Sequence, residues 1–333
     1  MDRKEQLMKW YESAKRDLPW RKTKDPYRIW ISEIMLQQTR VAAVIPYYER
    51  FLEELPSVKD LSEVEEDRLM KLWQGLGYYS RARNLKRAAI EIVERFSGRL
   101  PETYRELLSL PGIGPYTAAA IASIAFSEPV PAVDGNVLRV LARLNDDERD
   151  IADPRTKEAV FRQLSESMPD DAGTFNQAMM ELGATVCVPN GVPLCERCPL
   201  KDNCLARKNG TIVERPVKTK KAKREAERKT VFVLKNGERY LIRKRPDKGL
   251  LAGLYELPNT EGFLTQKETE TFLDRLGVRP VGTIAKYERV HIFTHREWHM
   301  QVYAVEIAEA DPAEYIWYDG TQSLPTAFAV CLS

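Results

Sequence analysis

The sequence predicts a two-domain protein in which an all-helical domain, residues 1–206, precedes an α+β domain, residues 230–333. Three observations support this division. The chain has 333 residues, and domains hold roughly 150 residues each. Apolar residues recur at helical spacing in the first part, whereas short runs rich in β-branched and aromatic residues follow Thr230. Between the two parts lies a basic stretch, residues 207–229, with almost no apolar residues.

Composition excludes several protein classes. The chain is 43% hydrophobic and 30% charged, which is typical of globular proteins and not of disordered or fibrous ones. Its longest apolar stretch, residues 118–126, has nine residues. Crossing a bilayer takes ~20 residues, so we expect no membrane association. Residues 1–6 lack the apolar core of a secretory signal, which predicts a cytoplasmic protein. With a net charge of +2, any affinity for nucleic acid must come from local clusters of charge.

The predicted helical domain consists of amphipathic segments separated by turn residues. Apolar residues at helical spacing occur in residues 7–14, 31–38, 69–73 and 88–96. Proline and glycine separate these segments, at Pro26, Pro56, Gly75, Gly77, Gly98, Pro101 and Pro111.

The basic stretch is predicted to be a linker, because it holds ten basic residues, three acidic ones and few apolar ones. Two interpretations stay open at this point. It is either a solvated tether or a strap that follows DNA phosphates.

The second domain is predicted to mix strands with a helix. Residues 231–234 and 240–242 are β-rich and flank Asn236 and Gly237, a pattern typical of a hairpin. Residues 302–305 predict another strand, and residues 267–276 predict a helix.

A glycine-containing hairpin is predicted within residues 103–126. The sequence Leu-Pro-Gly-Ile-Gly-Pro-Tyr-Thr (residues 110–117) lies there between two helical segments. Gly112 and Gly114 permit a tight turn, and Pro115 suits the first turn of the next helix. Such a hairpin directs backbone N–H groups and a helix N-terminus at an anion such as a DNA phosphate. A plain connection between two helices is the alternative.

Two carboxylates are candidates for chemistry. Asp134 precedes an amphipathic helix and suits its N-cap; the same position would hold a carboxylate rigidly at the mouth of a cleft. Glu33 lies among bulky apolar residues, and from the residues alone we expect it on the wet face of its helix. If it were desolvated instead, its pKa would rise and it would be a general acid at neutral pH.

Four of the five cysteines are clustered, at Cys187, Cys195, Cys198 and Cys204. In a chain without a secretory signal, such a cluster predicts a metal site and not disulfides. The spacing Cys-x7-Cys-x2-Cys-x5-Cys suits zinc as well as an iron–sulfur cluster, because both bind four thiolates. Cys331 is expected to be a packed apolar side chain.

These motifs together resemble the MutY family of adenine DNA glycosylases, in the helix-hairpin-helix superfamily that also contains endonuclease III. The resemblance rests on the hairpin, the Val-Asp-Gly-Asn turn (133–136), the helix Ser-Glu-Ile-Met-Leu-Gln-Gln-Thr (32–39) and the cysteines, and it covers essentially the whole chain. It implies an all-α helix-hairpin-helix glycosylase domain with an iron–sulfur cluster loop (187–204), followed by an α+β Nudix-like domain.

The resemblance implies an enzyme that binds double-stranded DNA and flips out an adenine mispaired with 8-oxoguanine or guanine. Hydrolysis of the bond between adenine and deoxyribose then initiates base excision repair. Glu33 matches the acid that protonates adenine, and Asp134 matches the carboxylate that stabilises the sugar cation. Tyr116 and Asn136 match residues that support Asp134. We further expect a monomer, associated with the nucleoid through its DNA binding.

Other residues match positions that contact substrate or DNA in this family. Trp20, Arg21 and Glu181 match the adenine pocket, while Gln38 and Tyr78 match residues wedged into the duplex. The sequence Phe-Thr-His (293–295) resembles the Phe-Ser-His loop that reads 8-oxoguanine; threonine keeps the hydroxyl and adds a methyl. The full set implied is Trp20, Arg21, Gln38, Thr39, Leu76, Tyr78, Gly112, Gly114, Glu181, Phe293, Thr294 and His295.

The residue at position 116 predicts the reaction outcome. Members of the superfamily that cleave the DNA strand carry a lysine there, which forms a Schiff base with the sugar. Because the residue here is Tyr116, we expect a monofunctional glycosylase that leaves an abasic site in an intact strand.

The resemblance favours a 4Fe–4S cluster over zinc, with a structural role. The first cysteine gap has one residue more than the family's loop. Asn190 and Gly191 lie in that gap and can form a turn that loops the extra residue out.

The second domain is predicted to sense the lesion and not to hydrolyse nucleotides. Its candidate magnesium ligands, Glu268, Glu270 and Asp274, lack the Arg-Glu-x-x-Glu-Glu run of Nudix hydrolases and supply too few oxygens. The three histidines, His291, His295 and His299, recur every four residues, but their apolar neighbours predict strands. We therefore expect no metal bound to them.

Overall fold

The computed structural model describes residues 2–219 and 223–333. The chain forms two compact units, which we call the helical unit (Met1–Glu63 and Asn84–Lys220) and the sheet unit (Val64–Arg83 and Lys221–Ser333). The compact units therefore do not follow the predicted boundaries, because residues 64–83 group with the C-terminal part of the chain.

Helices account for nearly all regular structure before the linker, as the periodicity predicts. Their bounds are α1 Arg3–Ala14, α2 Pro26–Leu36, α3 Val41–Glu54, α4 Val58–Glu63, α5 Glu66–Trp73, α6 Ser80–Phe96, α7 Tyr104–Leu107, α8 Pro115–Phe126, α9 Gly135–Leu144, α10 Pro154–Ser165, α11 Ala172–Thr185 and α12 Leu205–Asn209. Short 3-10 turns occupy Pro19–Arg21, Cys195–Arg197 and Lys201–Asn203. Across the described ranges, no helix has both the length and the apolar character needed to span a membrane.

A hydrophobic core joins α1, α9 and α11 in the helical unit. Leu7 and Tyr11 of α1 pack with Val140 of α9 and with Met179 and Leu182 of α11. All five side chains are nearly inaccessible to solvent. This core fixes the N-terminal end of α9, where Asp134 lies, against α11.

The predicted linker is ordered where it leaves the helical unit. Arg215 is buried, and its guanidinium pairs with Asp146 at 2.9 Å and Glu148 at 2.6 Å. The solvated-tether interpretation is therefore wrong at Arg215, because its side chain is enclosed by protein. Because these ion pairs occupy the Arg215 guanidinium, its charge is not available to bind a DNA phosphate either. Residues 220–222 of the predicted linker lie outside the described residues.

The sheet unit has a mixed seven-stranded sheet. Its strands are β1 Glu225–Asn236, β2 Arg239–Lys244, β3 Tyr255–Glu256, β4 Asn259–Glu261, β5 Ala285–Ile292, β6 Arg296–Glu306 and β7 Ile316–Trp317. The helices α13 Gln266–Arg275 and α14 Thr326–Ala329 join α5 in this unit. The order is β3-β2-β1-β6-β5, with β4 paired to β1 and β7 to β2. The predicted hairpin, the strand at 302–305 and the helix are confirmed. So are the strands around the histidines, since His291 lies in β5 and His299 in β6.

Strand β1 is buried on both faces, which explains its continuous apolar run. Val231 and Val233 belong to a core that α14 covers, whereas Phe232 and Leu234 belong to a second core that α13 covers. Alternate side chains of one strand thus serve opposite faces of the sheet.

The strand begins at Glu225, so the prediction that residues 225–229 belong to the linker is wrong. Glu225 to Lys229 pair in parallel with β6. Glu227 accepts a hydrogen bond from Trp298 Nε1 at 2.8 Å, and Lys229 Nζ lies 4.8 Å from the Trp298 ring centroid. Because these polar side chains find their partners on a neighbouring strand, residues 225–229 lack the alternation of apolar and polar residues that predicts a strand.

Residues 64–83 join the sheet unit through contacts that are remote in sequence. Asp67 accepts a hydrogen bond from Lys244 at 2.9 Å, 177 positions away. Ser323 Oγ donates to the Met70 carbonyl at 3.1 Å, 253 positions away. No local pattern could reveal such pairs, so the sequence placed this segment with the helical domain.

Candidate active site

Helix α2 carries Glu33 into the interior of the helical unit. Asp25 caps the helix by accepting a hydrogen bond from Tyr27 N at 2.9 Å, and Pro26 occupies its first turn. Eight of the 11 residues of α2 are buried, so the helix has no solvent-facing side along most of its length. Glu33 is 6% exposed. The prediction that it lies on a wet face is therefore wrong.

Burial makes Glu33 an unusually weak acid. Loss of hydration raises the pKa of its carboxyl to about 7, a hydrogen bond from Tyr116 lowers it, and the nearby charge of Asp134 raises it. Its Oε2 atom has no hydrogen-bond partner among the described residues. A carboxyl in this state holds a proton near neutral pH and leaves one oxygen free to meet a ligand.

Asp134 caps helix α9, as its place in the sequence predicts. Its Oδ1 accepts from Val137 N at 2.8 Å, and its Oδ2 accepts from Asn136 Nδ2 at 2.7 Å. Burial raises the pKa of Asp134, and these two hydrogen bonds oppose the rise. Asn136 is itself held by Arg139, which donates to its Oδ1 at 2.8 Å. The carboxylate is therefore fixed through both oxygens.

The hairpin between α7 and α8 places Tyr116 beside these carboxylates. Gly112 has a φ of +76°, and a Cβ there would lie 2.6 Å from Asn84 Cβ, so only glycine fits. Gly114 caps α8 and Pro115 begins it, as predicted. The Tyr116 hydroxyl is hydrogen-bonded to Glu33 and lies 3.0 Å from Met180 Sδ.

A buried ion cluster forms one wall of the site. Glu181 is inaccessible to solvent and binds Arg16 at 2.7 Å and Arg21 at 2.8 Å. Burial raises the pKa of Glu181, but the hydrogen bonds from the two arginines outweigh it and lower the pKa to about 2. Sequence reasoning missed Arg16, because nothing in the sequence links it to a glutamate 165 positions away.

These side chains surround one cavity of about 500 Å³ in the helical unit. This volume falls in the range of small-molecule pockets. Nine residues implicated by the sequence line it: Trp20, Arg21, Glu33, Gln38, Thr39, Tyr116, Asp134, Asn136 and Glu181. Gln37, from the motif 32–39, lines it as well, and so do Arg16, Gln177 and Met180, which had no signal in the sequence. Both carboxylates of the predicted pair therefore line the same cavity.

The remaining predicted DNA-contacting residues outside the hairpin lie in the sheet unit. Leu76, Tyr78, Phe293, Thr294 and His295 line a second cavity of about 750 Å³ there. The Tyr78 hydroxyl lies 2.5 Å from Thr294 Oγ1, so these residues are hydrogen-bonded to each other. Tyr78 has a φ of +49° and remains 42% exposed. Two residues that the resemblance implicates separately, Tyr78 and Thr294, are thus in contact.

The four clustered cysteines line one small cavity together with Arg143 and Arg207. Arg143 Nη1 lies 3.3 Å from Cys187 Sγ, and Cys204 Sγ lies 3.3 Å from the Arg143 carbonyl oxygen. Cys331 is buried in the sheet unit, as predicted for a packed apolar side chain. Throughout residues 2–219 and 223–333, no three His, Cys, Asp or Glu side chains are grouped tightly enough for a single metal ion.

The longer cysteine gap forms an exposed bend. Gly191 has a φ of +75°, and Asn190, Gly191 and Val192 are all exposed. The predicted turn at this place is confirmed. It removes the extra residue from the path between Cys187 and Cys195.

Two family models match separate stretches of the chain. Residues 31–170 match the model of the HhH-GPD superfamily of base excision DNA repair proteins, and residues 230–331 match the NUDIX domain. An adenine DNA glycosylase of Rattus norvegicus is 35% identical over 92% of this chain and 71% of its own length. One from Buchnera aphidicola subsp. Schizaphis graminum is 32% identical over 94% and 91%.

Two solved structures share the fold of the helical part. A thermostable thymine-DNA glycosylase has a TM-score of 0.56 and 28% identity, covering 62% of this chain and 95% of that one. A trapped endonuclease III–DNA covalent intermediate has a TM-score of 0.53 and 25% identity, covering 62% and 94%. The resemblance read from the motifs is confirmed, and the chain belongs to the adenine DNA glycosylase family.

Proposed function

We propose that this protein removes adenine mispaired with 8-oxoguanine or guanine from duplex DNA, as a monofunctional N-glycosylase. The observation that carries the proposal is the pair of carboxyl groups in one cavity. Glu33 has a pKa of about 7 and an unpartnered oxygen, whereas Asp134 is held by two hydrogen bonds that favour its ionised form. One acid and one carboxylate are what glycosidic bond cleavage requires.

The chemistry divides between these two groups. Glu33 donates its proton to a ring nitrogen of adenine, which makes the base a better leaving group. The bond from C1′ to N9 breaks, and its electron pair leaves with the base. The ionised Asp134 stabilises the positive charge that develops on the sugar. Water adds to C1′ and loses a proton, which leaves an abasic site.

The cavity walls support adenine as the occupant. Trp20 contributes an indole that packs edge-on against Tyr48, with ring centroids 5.4 Å apart. Glu181 holds Arg16 and Arg21, which also line the cavity. A flat apolar wall with a few fixed hydrogen-bond donors suits a heteroaromatic base.

The absence of an amine from the cavity supports the monofunctional reaction. Strand cleavage by a Schiff base needs a lysine at the sugar. None of the described residues that line the cavity is a lysine, and position 116 holds a tyrosine. Borohydride reduction during turnover should therefore leave no stoichiometric adduct of enzyme and DNA. A full equivalent of trapped adduct would contradict this assignment.

Recognition of the opposite base is assigned to residues 293–295 and their neighbours in the sheet unit. The Thr294 hydroxyl and the Tyr78 ring line the same cavity, where a hydroxyl can hydrogen-bond to an oxidised purine. Thr294→Ala should reduce the rate ratio between adenine opposite 8-oxoguanine and adenine opposite guanine, whereas Thr294→Ser should keep it. An unchanged ratio in Thr294→Ala would place recognition elsewhere. We further propose that the protein acts as a monomer.

The cysteine cavity fits a 4Fe–4S cluster held by Cys187, Cys195, Cys198 and Cys204. Its donors are four cysteine sulfurs, which such a cluster binds. The zinc alternative finds no support in the comparisons. When bound, the cluster would supply structural cross-linking of this loop and no step of base release. Arg139 joins the loop to the active site, because it donates to the Cys187 carbonyl at 2.8 Å and to Asn136.

A matched pair of variants tests the proposed mechanism. Asp134→Asn removes the negative charge and keeps an N-cap, so base release should fall at least about hundredfold while DNA affinity stays within about twofold. The control is Asp171→Asn, which changes the cap of α11 at an exposed position. Near wild-type release by Asp134→Asn would refute the mechanism.

A further inference from the structure

The segment that delivers Asp134 to the cavity has few backbone bonds of its own. It runs from Ser127, which ends α8, to Asp134 and contains prolines at 129 and 131, which have no N–H group. Val130 and Ala132 between and after these prolines are buried. Their polar backbone groups therefore need partners from other elements.

Asn176 of α11 supplies those partners. Its Oδ1 accepts from Ala132 N at 3.0 Å, and its Nδ2 donates to the Val130 carbonyl at 2.9 Å. The side chain is 2% exposed. One residue, Val133, separates Ala132 from Asp134, so the bond is made just before the catalytic carboxylate.

The same amide also binds α8. Asn176 Nδ2 donates to Ser123 Oγ at 2.8 Å, and Ser123 Oγ donates to the Ala119 carbonyl at 2.7 Å. One turn earlier on α11, a Cβ at Gly173 would lie 2.7 Å from the Ser123 carbonyl oxygen, so the two helices are in close contact here. The two donors and one acceptor of the Asn176 amide are thus all engaged, on two elements besides its own.

Each of these elements contributes a residue that lines the cavity. Helix α8 bears Tyr116, helix α11 bears Glu181, and the proline-containing segment ends at Asp134. A side chain of α11 that binds both α8 and the proline-containing segment sets the distance of the Asp134 carboxylate from the rest of the site. A displacement of ~1 Å at a reacting group can slow a reaction about hundredfold.

We propose that Asn176 is a positioning residue for base release, which places Asp134 by holding Val130 and Ala132 against helices α8 and α11. The inference rests on the proposed role of Asp134. None of the hydrogen-bond partners of Asn176 lines the cavity, so Asn176 acts through the proline-containing segment.

Asn176→Asp tests this with little change in volume. The carboxylate keeps the acceptor for Ala132 N–H but replaces the donor to the Val130 carbonyl with a second acceptor. The control is Asp171→Ala on the same helix, where the exposed cap accepts from Thr174 N at 3.0 Å. It should weaken α11 without touching the proline-containing segment.

The readout is single-turnover adenine release with enzyme in excess, at a temperature where every variant is folded by circular dichroism. A merely structural defect lowers the fraction of enzyme that is folded, but as long as folded enzyme stays in excess over DNA it leaves the single-turnover rate constant unchanged. We expect Asn176→Asp to lower the rate constant at least about tenfold, with amplitude and duplex affinity retained. Asp171→Ala should keep the wild-type rate constant.

A rate constant within about twofold of wild type, or a loss confined to the amplitude, would overturn the inference. If Asn176→Asp does not fold, Asn176→Ser decides the question in the same assay, because its shorter hydroxyl also cannot reach all three partners. Wild type and Asp134→Asn are measured alongside. A wild-type enzyme that releases no adenine overturns the proposed function and this inference together, whereas active wild type with unaffected Asn176 variants overturns this inference alone.

Discussion

Replacing Glu33 by glutamine should stabilise the protein, and the gain should grow with pH. The ordinary pKa of a glutamate carboxyl is 4.5, but burial raises the pKa of Glu33 to about 7. An acid with a raised pKa in the folded state binds its proton more tightly there than in the unfolded chain. The free energy of unfolding therefore falls as the pH rises from about 4.5 to about 7 and is level above that range.

The size of the effect follows from the two pKa values. At ~1.4 kcal/mol per pH unit, the rise from 4.5 to about 7 lowers the free energy of unfolding by about 3 kcal/mol once the carboxyl is ionised. Glutamine has nearly the same shape and carries no charge, so Glu33→Gln avoids this loss. We expect the variant to exceed wild type by about 1 kcal/mol at about pH 5 and by about 3 kcal/mol at about pH 8.

Urea unfolding followed by circular dichroism at both pH values measures this difference. The control is Glu49→Gln, which removes an exposed carboxylate on α3. Since that side chain is exposed to solvent, its replacement should leave the free energy of unfolding close to the wild-type value. A gain for Glu33→Gln that does not depend on pH, or a loss at about pH 8, would refute the raised pKa of Glu33.

Three further predictions concern the site. Base release by the unaltered enzyme should slow as the pH rises above about 7, because Glu33 loses its proton; single-turnover rates between about pH 6 and about pH 9 would show a flat profile if Glu33 were not the acid. Gly183→Ala should lower the free energy of unfolding by about 1–3 kcal/mol and slow base release, because its Cβ would lie 2.5 Å from Asn136 Cβ. Urea unfolding and a rate of base release equal to those of the wild type would contradict this. Cys204→Ser should lose the visible absorption expected of a 4Fe–4S cluster, and retained absorption would exclude Cys204 as a ligand.

Features set by local chemistry were predictable from the sequence. Asp134 caps α9 because an aspartate before an amphipathic helix can bind the free N–H groups of the first turn. Pro115 begins α8 because its missing N–H has no partner at that position in any case. The two cores of the sheet unit follow from the uninterrupted apolar run of β1, whose alternate side chains need two buried faces.

Features set by packing between distant segments were not predictable. The apolar neighbours of Glu33 allowed one exposed side, and only the assembled helices close it. Arg16 belongs to the site because the fold of α11 brings Glu181 next to it. No sequence pattern links two residues that are 165 positions apart. The start of β1 was hidden because Glu227 is satisfied by Trp298 from β6 and leaves a polar pattern that reads as linker.

Single-turnover base release on four duplexes tests the central claim most directly. Adenine is placed opposite 8-oxoguanine, guanine, cytosine or thymine, and strand breaks are scored before and after alkali. The proposed function predicts adenine release from the first two duplexes alone, with breaks that appear only after alkali. Equal release from all four duplexes, breaks without alkali, or tight binding without any release would contradict it.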